Sequence, residues 1–551
     1  MTFSTPAPAS TTPPRWPHCG YDATAEAPVG CRGILVLGYS ACLAHLPRRK
    51  RRRYLAGLAP GADLDHRGTP LSLDLLGELL TALTDSTGRR RFGAARFDAA
   101  EFGGGGTALF NSAEFGSTAG FHGAKFRAPA WFGGAKFGGP AKFSDAEFGS
   151  GAVFDEAEFG GDVNFGGAKF GVHASFGGAK FGGRDARVGP LVCAGTLELS
   201  RAVFQHAVTL EVAAATVRCR RTRWSSTAAL RLRHAIVDLS DAVLEHPVSI
   251  SAHSQPFTVF NGELAEPGLT DPRVRVVSLR GVDTTHLVLT DIDLTECRFA
   301  GAIHLDQLGL EGRITFARPP KGWSRRRTLA DEQHWRAAAA GRPVPGEPPS
   351  KREWEPGPNH PNLERTPGPQ TVAALYRQLR KALEDAKNEP GAADFYYGEC
   401  EMRHHDDTGT PWAERALLKA YWAVSGYGLR AYRALIWLLL AVGITILVMM
   451  LWGIPPNEPK PTTTGRQVST GQDLTLVTDT PDPANPTGAL TGRLTTDRFE
   501  KSLRTVANSV VFRSSSQDLT TVGTYTEMAS RFAEPVLLGL AILAIRNRVK
   551  R

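Results

Sequence analysis

Apolar residues recur in the middle of the chain with a period that is neither that of a helix nor that of an ordinary strand. Between positions 110 and 181, phenylalanines follow one another at steps that alternate between five and six residues, and an alanine usually stands two positions before each. Two steps of each kind add up to a unit of about 22 residues. A chain that bends at every step forms a coil with four short faces. We therefore predict a mainly β solenoid with stacked phenylalanines inside.

The outward positions before the phenylalanines carry charges whose sign alternates. One ladder reads Glu114, Lys136, Glu158 and Lys180, and the opposite ladder reads Lys125, Glu147 and Lys169. Successive coils lie about 4.8 Å apart, so opposite charges would face each other on neighbouring coils. A coil of about 22 residues explains this alternation, whereas a bare five-residue rhythm does not.

The repeated units resemble those of a known family. Units such as the one around Ala146 and Phe148 are similar to the pentapeptide repeat, which reads A-(D/N)-L-x-x with phenylalanine allowed at the centre. The resemblance covers residues 108–183 and implies a right-handed quadrilateral β-helix of pentapeptide-repeat type. Every second unit of this chain carries one residue more than the family pattern.

The five- and six-residue rhythm continues more weakly beyond the regular segment. We predict a regular β-helix over residues 91–190 and a degenerate one over 191–318. Prolines interrupt the rhythm over 251–275, which predicts a loop that leaves the coil.

The segments on either side of the solenoid differ from it in composition. We predict a disordered tail over 1–14, a cap with cysteines, a histidine and helices over 15–90, a linker over 319–370 and a juxtamembrane helical region over 371–433. Apolar residues at helical spacing on both sides of a turn predict a helical hairpin in the last of these. This region resembles the juxtamembrane part of bacterial membrane proteins that join pentapeptide repeats to a hydrophobic tail.

Two apolar segments near the C-terminus predict membrane crossings. Residues 434–454 carry no charge over 21 positions, which is about the length that crosses a bilayer. Residues 528–546 form the second segment, for which an amphipathic or buried helix is the alternative, and a basic tail follows over 547–551. Arginines before the first segment and after the second follow the positive-inside pattern. We therefore predict a multi-pass cell-membrane protein with a cytoplasmic β-helix, a cytoplasmic C-terminus and an extracytoplasmic loop over 455–527.

The cap contains residue types that bind zinc. Cys19, Cys31, Cys42 and His45 supply three thiols and one imidazole, and such a set holds structural zinc in other proteins. The spacing differs from that of a standard zinc ribbon, so three buried cysteines in a small cap are the alternative. His404–Asp407 also contains metal-binding types, but consecutive helical positions point in different directions, and we interpret it as a solvated helix end.

Charge and motifs narrow the classes of function. A net charge of +9 over 551 residues is small for a nucleic-acid-binding protein, and seven cysteines do not form a disulfide scaffold. The sequence contains no P-loop, no dinucleotide-binding glycine motif and no zinc-protease or serine-hydrolase motif. We therefore predict a non-enzymatic membrane-anchored scaffold or binding protein, whose β-helix faces bind a protein partner that the sequence does not identify.

Two other functions agree with parts of the sequence. Leu519–Gly523 is similar to the filter region of two-crossing potassium channels, which suggests a channel-like or transport element regulated by the β-helix, although the residues after Gly523 depart from the filter pattern. The family resemblance also implies a DNA mimic that protects topoisomerases. Mimicry requires a strongly negative surface, whereas residues 91–190 hold ten basic and ten acidic residues.

Overall fold

The chain consists of two compact units, Met1–Phe395 and Tyr396–Arg551. The computed structural model describes residues 12–260, 262–320, 326–340, 354, 366–456, 460–465, 476–479, 481–512 and 518–549. A β solenoid of about ten turns with a spacing of about 22 residues confirms the predicted solenoid, and helices follow it. Residues 1–11, most of the predicted linker over 319–370 and the end of the predicted tail over 547–551 lie outside the described residues.

Each turn of the regular solenoid contains four short parallel strands. Ala130–Trp131 pairs with Ala108–Leu109 on the preceding coil and with Ala152–Val153 on the following one. The strands of this segment are Arg91–Phe92, Ala95–Arg96, Glu101–Gly103, Ala108–Leu109, Glu114–Phe115, Ala119–Gly120, Lys125–Phe126, Ala130–Trp131, Lys136–Phe137, Ala141–Lys142, Glu147–Phe148, Ala152–Val153, Glu158–Phe159, Val163–Asn164, Lys169–Phe170, Ala174–Ser175 and Lys180–Phe181.

Phenylalanine rings fill the interior of these coils. Within each stack, adjacent ring centroids lie 4.8–5.1 Å apart and the ring planes are within 13° of parallel. The alanines two positions before the rings are buried as well, since both inward side chains of a face share a narrow interior. The predicted stacks are confirmed, and they are Phe110–Phe132–Phe154–Phe176, Phe115–Phe137–Phe159–Phe181, Phe121–Phe143–Phe165 and Phe126–Phe148–Phe170.

The predicted charge ladders are also present on the outside of the coils. Lys180 Nζ lies 2.9 Å and Lys136 Nζ lies 3.6 Å from the Glu158 carboxylate. On the opposite ladder, Lys169 Nζ lies 3.7 Å from Glu147. Each exposed pair contributes at most about 1 kcal/mol. Their main effect is on register, because a shift of one coil would bring like charges together.

Beyond residue 185 the coil becomes shorter than predicted. The strand Ala186–Glu198 runs continuously past three separate strands of the preceding coil. Its pairing with Val208–Arg218 contains two irregularities, between Val188 and Leu191 and between Cys193 and Thr196. Each irregularity removes one residue from the coil, so Val208 pairs with Ala228, 20 positions further along. The spacing of 22 residues therefore holds for the regular segment, and the pairings of Val208 with Ala228 and of Ala228 with Val248 are two residues shorter.

Several of the later strands are longer, and most of their inward residues are aliphatic, whereas Phe204 and Trp224 continue the stack that ends at Phe181. The later strands are Ala186–Glu198, Val203–Phe204, Val208–Arg218, Arg223–Trp224, Ala228–Arg233, Ile236–Asp238, Val243–Leu244, Val248–Ala252, Arg275–Ser278, Leu287–Thr290 and Gly309–Glu311, with 3-10 turns at Thr284–His286 and Leu305–Gln307. Their inward residues, such as Leu210, Leu230 and Ile250, are buried.

At the predicted loop over 251–275 the chain leaves the coil after Ala252 and pairs again from Arg275. We call residues 253–274 the excursion. It contains a small antiparallel hairpin, Thr258–Val259 with Gly262–Glu263. Arg233, which is buried, donates two hydrogen bonds of 2.7 and 2.9 Å to the Glu266 carboxylate, and the His234 ring lies 2.8 Å from the same carboxylate. This ion-pair cluster fastens the excursion to the coil.

The N-terminal segment supplies the first strands of the solenoid. After the 3-10 turn Leu43–His45 and helix α1 (Arg48–Ala56), Leu64–Asp65 pairs with Ala95–Arg96, and Pro70–Ser72 pairs with Glu101–Gly103. Helix α2 (Leu73–Ala82) follows directly, with the Ser72 hydroxyl accepting a hydrogen bond from the Leu75 N–H. Its apolar side chains, Leu75, Leu76, Leu79 and Leu80, are buried.

Helices α3 (Ala330–Ala339), α4 (Pro369–Asp385) and α5 (Glu389–His405) follow the solenoid. The apolar face of α4 packs on the last 3-10 turn of the solenoid, and Lys381 Nζ lies 2.8 Å from Asp306 beside it. The sequence predicts the turn of the helical hairpin at Asn388–Gly391, but helix α5 already begins at Glu389, because the Asn388 side chain accepts the Gly391 N–H and proline is tolerated in a first helical turn.

In its described residues, the second unit contains helices and one hairpin, Thr462–Gly465 with Leu476–Asp479. Its helices are α6 (Trp412–Ser425), α7 (Ala431–Val448, continued by a π-turn over Met449–Gly453), α8 (Thr496–Phe512) and α9 (Thr521–Val549), with a 3-10 turn at Leu490–Arg493. Among the described residues, two helical segments are long and apolar enough to cross a membrane, Ala431–Gly453 and Thr521–Arg546.

The segment that is similar to a channel filter is not an extended loop. Val522 and Gly523 lie in the first turn of α9, and the Thr520 hydroxyl accepts the Gly523 N–H at 3.2 Å. Helical backbone turns its carbonyl groups along the helix axis, so these residues cannot form the ring of carbonyls that a filter requires. Leu519–Gly523 therefore does not have the extended backbone that the resemblance to a channel filter implies.

Candidate metal centre

The four residues predicted to bind metal converge in the N-terminal segment. The Sγ atoms of Cys19, Cys31 and Cys42 and a ring nitrogen of His45 all lie within 4.8 Å of one another. Cys31 Sγ and Cys42 Sγ are 3.8 Å apart, and His45 Nδ1 lies 3.4 Å from Cys42 Sγ and 3.6 Å from Cys19 Sγ. The cluster could hold a metal ion.

Backbone pairing brings the first two cysteines together. The Cys19 N–H donates to the Gly33 carbonyl at 2.8 Å, and the Gly20 N–H donates to the Cys31 carbonyl at 2.9 Å. The Cys31 N–H in turn donates to the carbonyl of Tyr21 at 2.8 Å. Two short antiparallel segments thus hold the thiols of Cys19 and Cys31 on the same side.

A tight turn supplies the other two ligands. Cys42 precedes the 3-10 turn Leu43–His45, and the His45 N–H donates to the Cys42 carbonyl at 3.1 Å. The Tyr21 ring stacks on the His45 ring with centroids 4.1 Å apart and planes at 16°. This stacking holds the imidazole with Nδ1 toward the thiols.

Gly33 allows the two halves of the site to approach each other. A Cβ atom at this position would lie 2.7 Å from Cys42 Cβ and 2.9 Å from Cys42 Sγ. A real Cβ atom cannot come so close, so any side chain would displace Cys42. The sequence alone does not indicate Gly33 or Tyr21, because neither residue type binds metal and only the folded backbone brings them to the thiols.

The thiols of Cys31 and Cys42 interact with each other. The hydrogen bond with Cys42 lowers the pKa of Cys31 to about 5, and the same bond, together with burial, raises the pKa of Cys42. A thiolate is the form of cysteine that binds metal. Because all four ligand atoms come from side chains of the protein, the arrangement is a closed one, which is typical of structural rather than catalytic metal sites.

His404–Asp407 does not form a second cluster. Helix α5 ends at His405, and the Asp406 carboxylate accepts the Gly409 N–H at 2.9 Å and the Thr408 N–H at 3.3 Å. Asp406 therefore stabilises the turn that ends the helix, in agreement with the interpretation as a helix end, although Asp406 itself is buried rather than solvated.

The chain was compared with three sets of known proteins. Searches against protein-family models, curated proteins and solved structures found no match to it.

Proposed function

We propose that the chain is a membrane-anchored scaffold that presents a β solenoid to a protein partner in the cytoplasm. The observation that carries the proposal is the presence of a long solenoid and two apolar helical segments, Ala431–Gly453 and Thr521–Arg546, in one chain. A solenoid offers an extended surface of repeated outward positions, and the apolar helices would keep that surface at the bilayer.

The exposed side chains of the two apolar helices support insertion in lipid. Leu439 on α7 is 71% exposed and Phe532 on α9 is 79% exposed. Large apolar side chains with this exposure are costly in water, and each would gain about 1.5–3 kcal/mol on transfer to hydrocarbon. Arg430 and Arg433 at the start of α7 and Arg546 near the end of α9 favour a cytoplasmic location for both ends.

The solenoid is proposed to be a right-handed quadrilateral β-helix of pentapeptide-repeat type. Four strands per coil, four phenylalanine stacks and an alanine two positions before each ring support this assignment. The parallel pairing of each strand with the strand one coil away gives every face its own ladder of hydrogen bonds.

Cysteine accessibility in intact cells tests the anchor and its orientation. Thr463→Cys should react with a membrane-impermeant maleimide, whereas Lys142→Cys, on the exposed outer surface of the solenoid, should react only after the membrane is permeabilised. The unsubstituted chain measures the background from its natural cysteines. Labelling of Lys142→Cys in intact cells, or recovery of the chain in the soluble fraction, would contradict the proposed function.

We also propose that Cys19, Cys31, Cys42 and His45 hold a structural zinc ion. Tetrahedral zinc, with Zn–S of about 2.3 Å and Zn–N of about 2.0–2.1 Å, places two sulfurs about 3.8 Å apart and a sulfur about 3.5 Å from a nitrogen. The separations of 3.8, 3.4 and 3.6 Å in the cluster agree with these values.

Metal analysis of the purified full chain tests the zinc proposal. We expect about one equivalent of zinc, and loss of most of it in Cys42→Ser. Cys219→Ser is the matched control, because Cys219 is buried within the solenoid and is not part of the cluster. A folded, metal-free chain, or equal zinc in the two variants, would contradict the proposal and favour a cap with buried cysteines.

A further inference from the structure

One corner of the solenoid is rich in arginine over several successive coils. A groove of about 500 Å³ at this corner is lined by Ser200, Arg201, Arg220, Arg221, Ser240, Asp241, Arg280 and Arg298. We call it the arginine groove. The backbone stacks these positions directly, since the Arg201 N–H donates to the Arg220 carbonyl at 2.8 Å and the Arg221 N–H donates to the Ser240 carbonyl at 2.9 Å.

The arginines of the groove outnumber the carboxylates that pair with them. Arg220 pairs with Asp238 at 2.6 Å, while Asp241 lies 3.7 Å from Arg221 and 3.5 Å from Arg280. Within the described part of the chain, neither Arg201 nor Arg298 has a carboxylate within ion-pair distance.

Arg298 gives a second sign of an unfilled interaction. Its Nε atom is buried and has no hydrogen-bond partner among the described residues. A buried donor without a partner is costly, by about 1–3 kcal/mol. An anion in the groove would supply acceptors to this guanidinium group.

The upstream coils limit the length of the groove. In the same column of corner positions, the Gly178 N–H donates to the Ser200 carbonyl and the Glu156 N–H donates to the Gly177 carbonyl. The coils before the groove therefore carry glycine and then acidic residues, Asp155 and Glu156, at this corner. A long polyanion that followed the solenoid would meet these carboxylates, whereas a small anion would not.

We propose that the arginine groove binds a small ligand that carries phosphate groups. Guanidinium groups bind phosphate oxygens through paired hydrogen bonds, and arginines from coils about 4.8 Å apart can contact one ligand from several sides. The ligand is either a free phosphate compound or the phosphate headgroup of a lipid. This site is distinct from the metal cluster, and its occupancy does not depend on the scaffold function.

Calorimetric titration of the purified full chain tests the proposal with two probes. Pyrophosphate represents a free phosphate compound, and water-soluble short-chain phosphatidylglycerol represents a lipid headgroup. The test variant is Arg201→Gln with Arg298→Gln, which removes the two arginines that lack a carboxylate partner. The control is Arg127→Gln, because Arg127 lies on the regular coils and pairs with Glu101 at 2.9 Å.

We expect at least one probe to bind, with affinity at least tenfold lower in the double variant and unchanged in the control. Loss of pyrophosphate binding in the double variant would identify the ligand as a free phosphate compound. Loss of phosphatidylglycerol binding alone in that variant would identify it as a lipid headgroup. Arg298→Lys keeps the charge but not the paired hydrogen-bond geometry, and it should bind the probe with intermediate affinity. Melting temperatures equal to that of the unsubstituted chain would show that the variants are folded. Absence of binding, equal affinity in the double variant, or tighter binding of duplex DNA through the same arginines would overturn the proposal.

Discussion

The ring of Phe148 stacks on the ring of Phe170 with centroids 4.8 Å apart and planes 2° from parallel. Phe126 stacks on the other side of Phe148, also at 4.8 Å. A phenylalanine in such a stack is in contact with rings on both neighbouring coils, so its replacement affects three coils at once.

Replacement of Phe148 by aspartate should therefore destabilise the solenoid strongly. Removal of a buried phenylalanine side chain costs about 3–5 kcal/mol, and an unpaired buried carboxylate adds to that cost. Thermal and urea unfolding of the full chain would measure the loss. Lys142→Asp, at an exposed position of the same coil, should change the stability by less than about 0.5 kcal/mol. Equal stability of the two variants would contradict the inward orientation of Phe148.

Replacement of Gly33 by valine should remove the metal without removing a ligand. The added side chain would displace Cys42, whose Sγ lies 2.9 Å from the position of the new Cβ. We expect the zinc content to fall below about half of that of the unsubstituted chain, because tetrahedral sites tolerate little displacement of a ligand. Gly77→Val is the control, since nothing lies within 4 Å of the corresponding Cβ. Full zinc content in Gly33→Val would show that the thiols do not act together.

The stability of the first unit should depend on the protonation of Asp331. Burial raises the pKa of Asp331 to about 6, from an ordinary value of 3.8. A carboxyl group with a raised pKa contributes most stability below its unfolded pKa, and this contribution is lost as the pH rises through the folded pKa. Between pH 4 and pH 7 the melting temperature of the unsubstituted chain should therefore fall relative to that of Asp331→Asn.

The size of this effect follows from the shift, which corresponds to a change of about 1–3 kcal/mol over the interval. Neighbouring Glu332 changes little there, because its pKa is lowered to about 2 by the charges of Arg326 and Arg336, which outweigh its burial. Asp185→Asn, at an exposed position, should follow the unsubstituted chain at every pH. If the difference in melting temperature between Asp331→Asn and the unsubstituted chain is the same at every pH, the raised pKa of Asp331 is refuted.

Removal of the Glu266 carboxylate should release the excursion from the coil. Glu266→Ala would leave the buried Arg233 and His234 side chains without their carboxylate, and loss of one partner of a buried ion pair costs about 3–5 kcal/mol. Limited proteolysis should then cut between residues 253 and 274 at least tenfold faster. Glu263→Ala, in the exposed hairpin, should be cut at the original rate. If both variants are cut equally, the cluster does not hold the excursion.

Gly523 packs closely against Gly453, so a side chain at position 523 should destabilise the helical unit. A Cβ atom there would lie 2.5 Å from the Gly453 carbonyl oxygen, so Gly523→Val should separate the end of the π-turn from the start of α9. We expect a melting temperature in detergent at least several degrees lower. Gly539→Val introduces the same side chain into the same helix with nothing within 4 Å and should have a much smaller effect.

Sequence patterns predict some of these features well because the relevant residues are close in sequence. The spacing of Phe148 and its neighbours specifies the coil directly, and the residue types of Cys42 and His45 identify metal ligands. The shorter coils were not predicted, since aliphatic residues mark the corners less clearly and the bulges at Val188 and Cys193 exist only between paired strands. The arginine groove was not predicted either, because its residues come from separate coils and only the stacking of corners brings them together.

The alternation of the charge ladders has a consequence for how this protein can lengthen or shorten. Lys136 follows Glu114 on one face while Glu147 follows Lys125 on the opposite face, so each coil carries its two charges in the reverse order to its neighbours. Duplication of one coil would place identical charges against each other on both faces. Duplication or deletion of two coils together preserves the alternation of charge in both ladders. Gain or loss of length in the regular segment is therefore expected in steps of two coils, and relatives of this chain should differ in coil number by even counts.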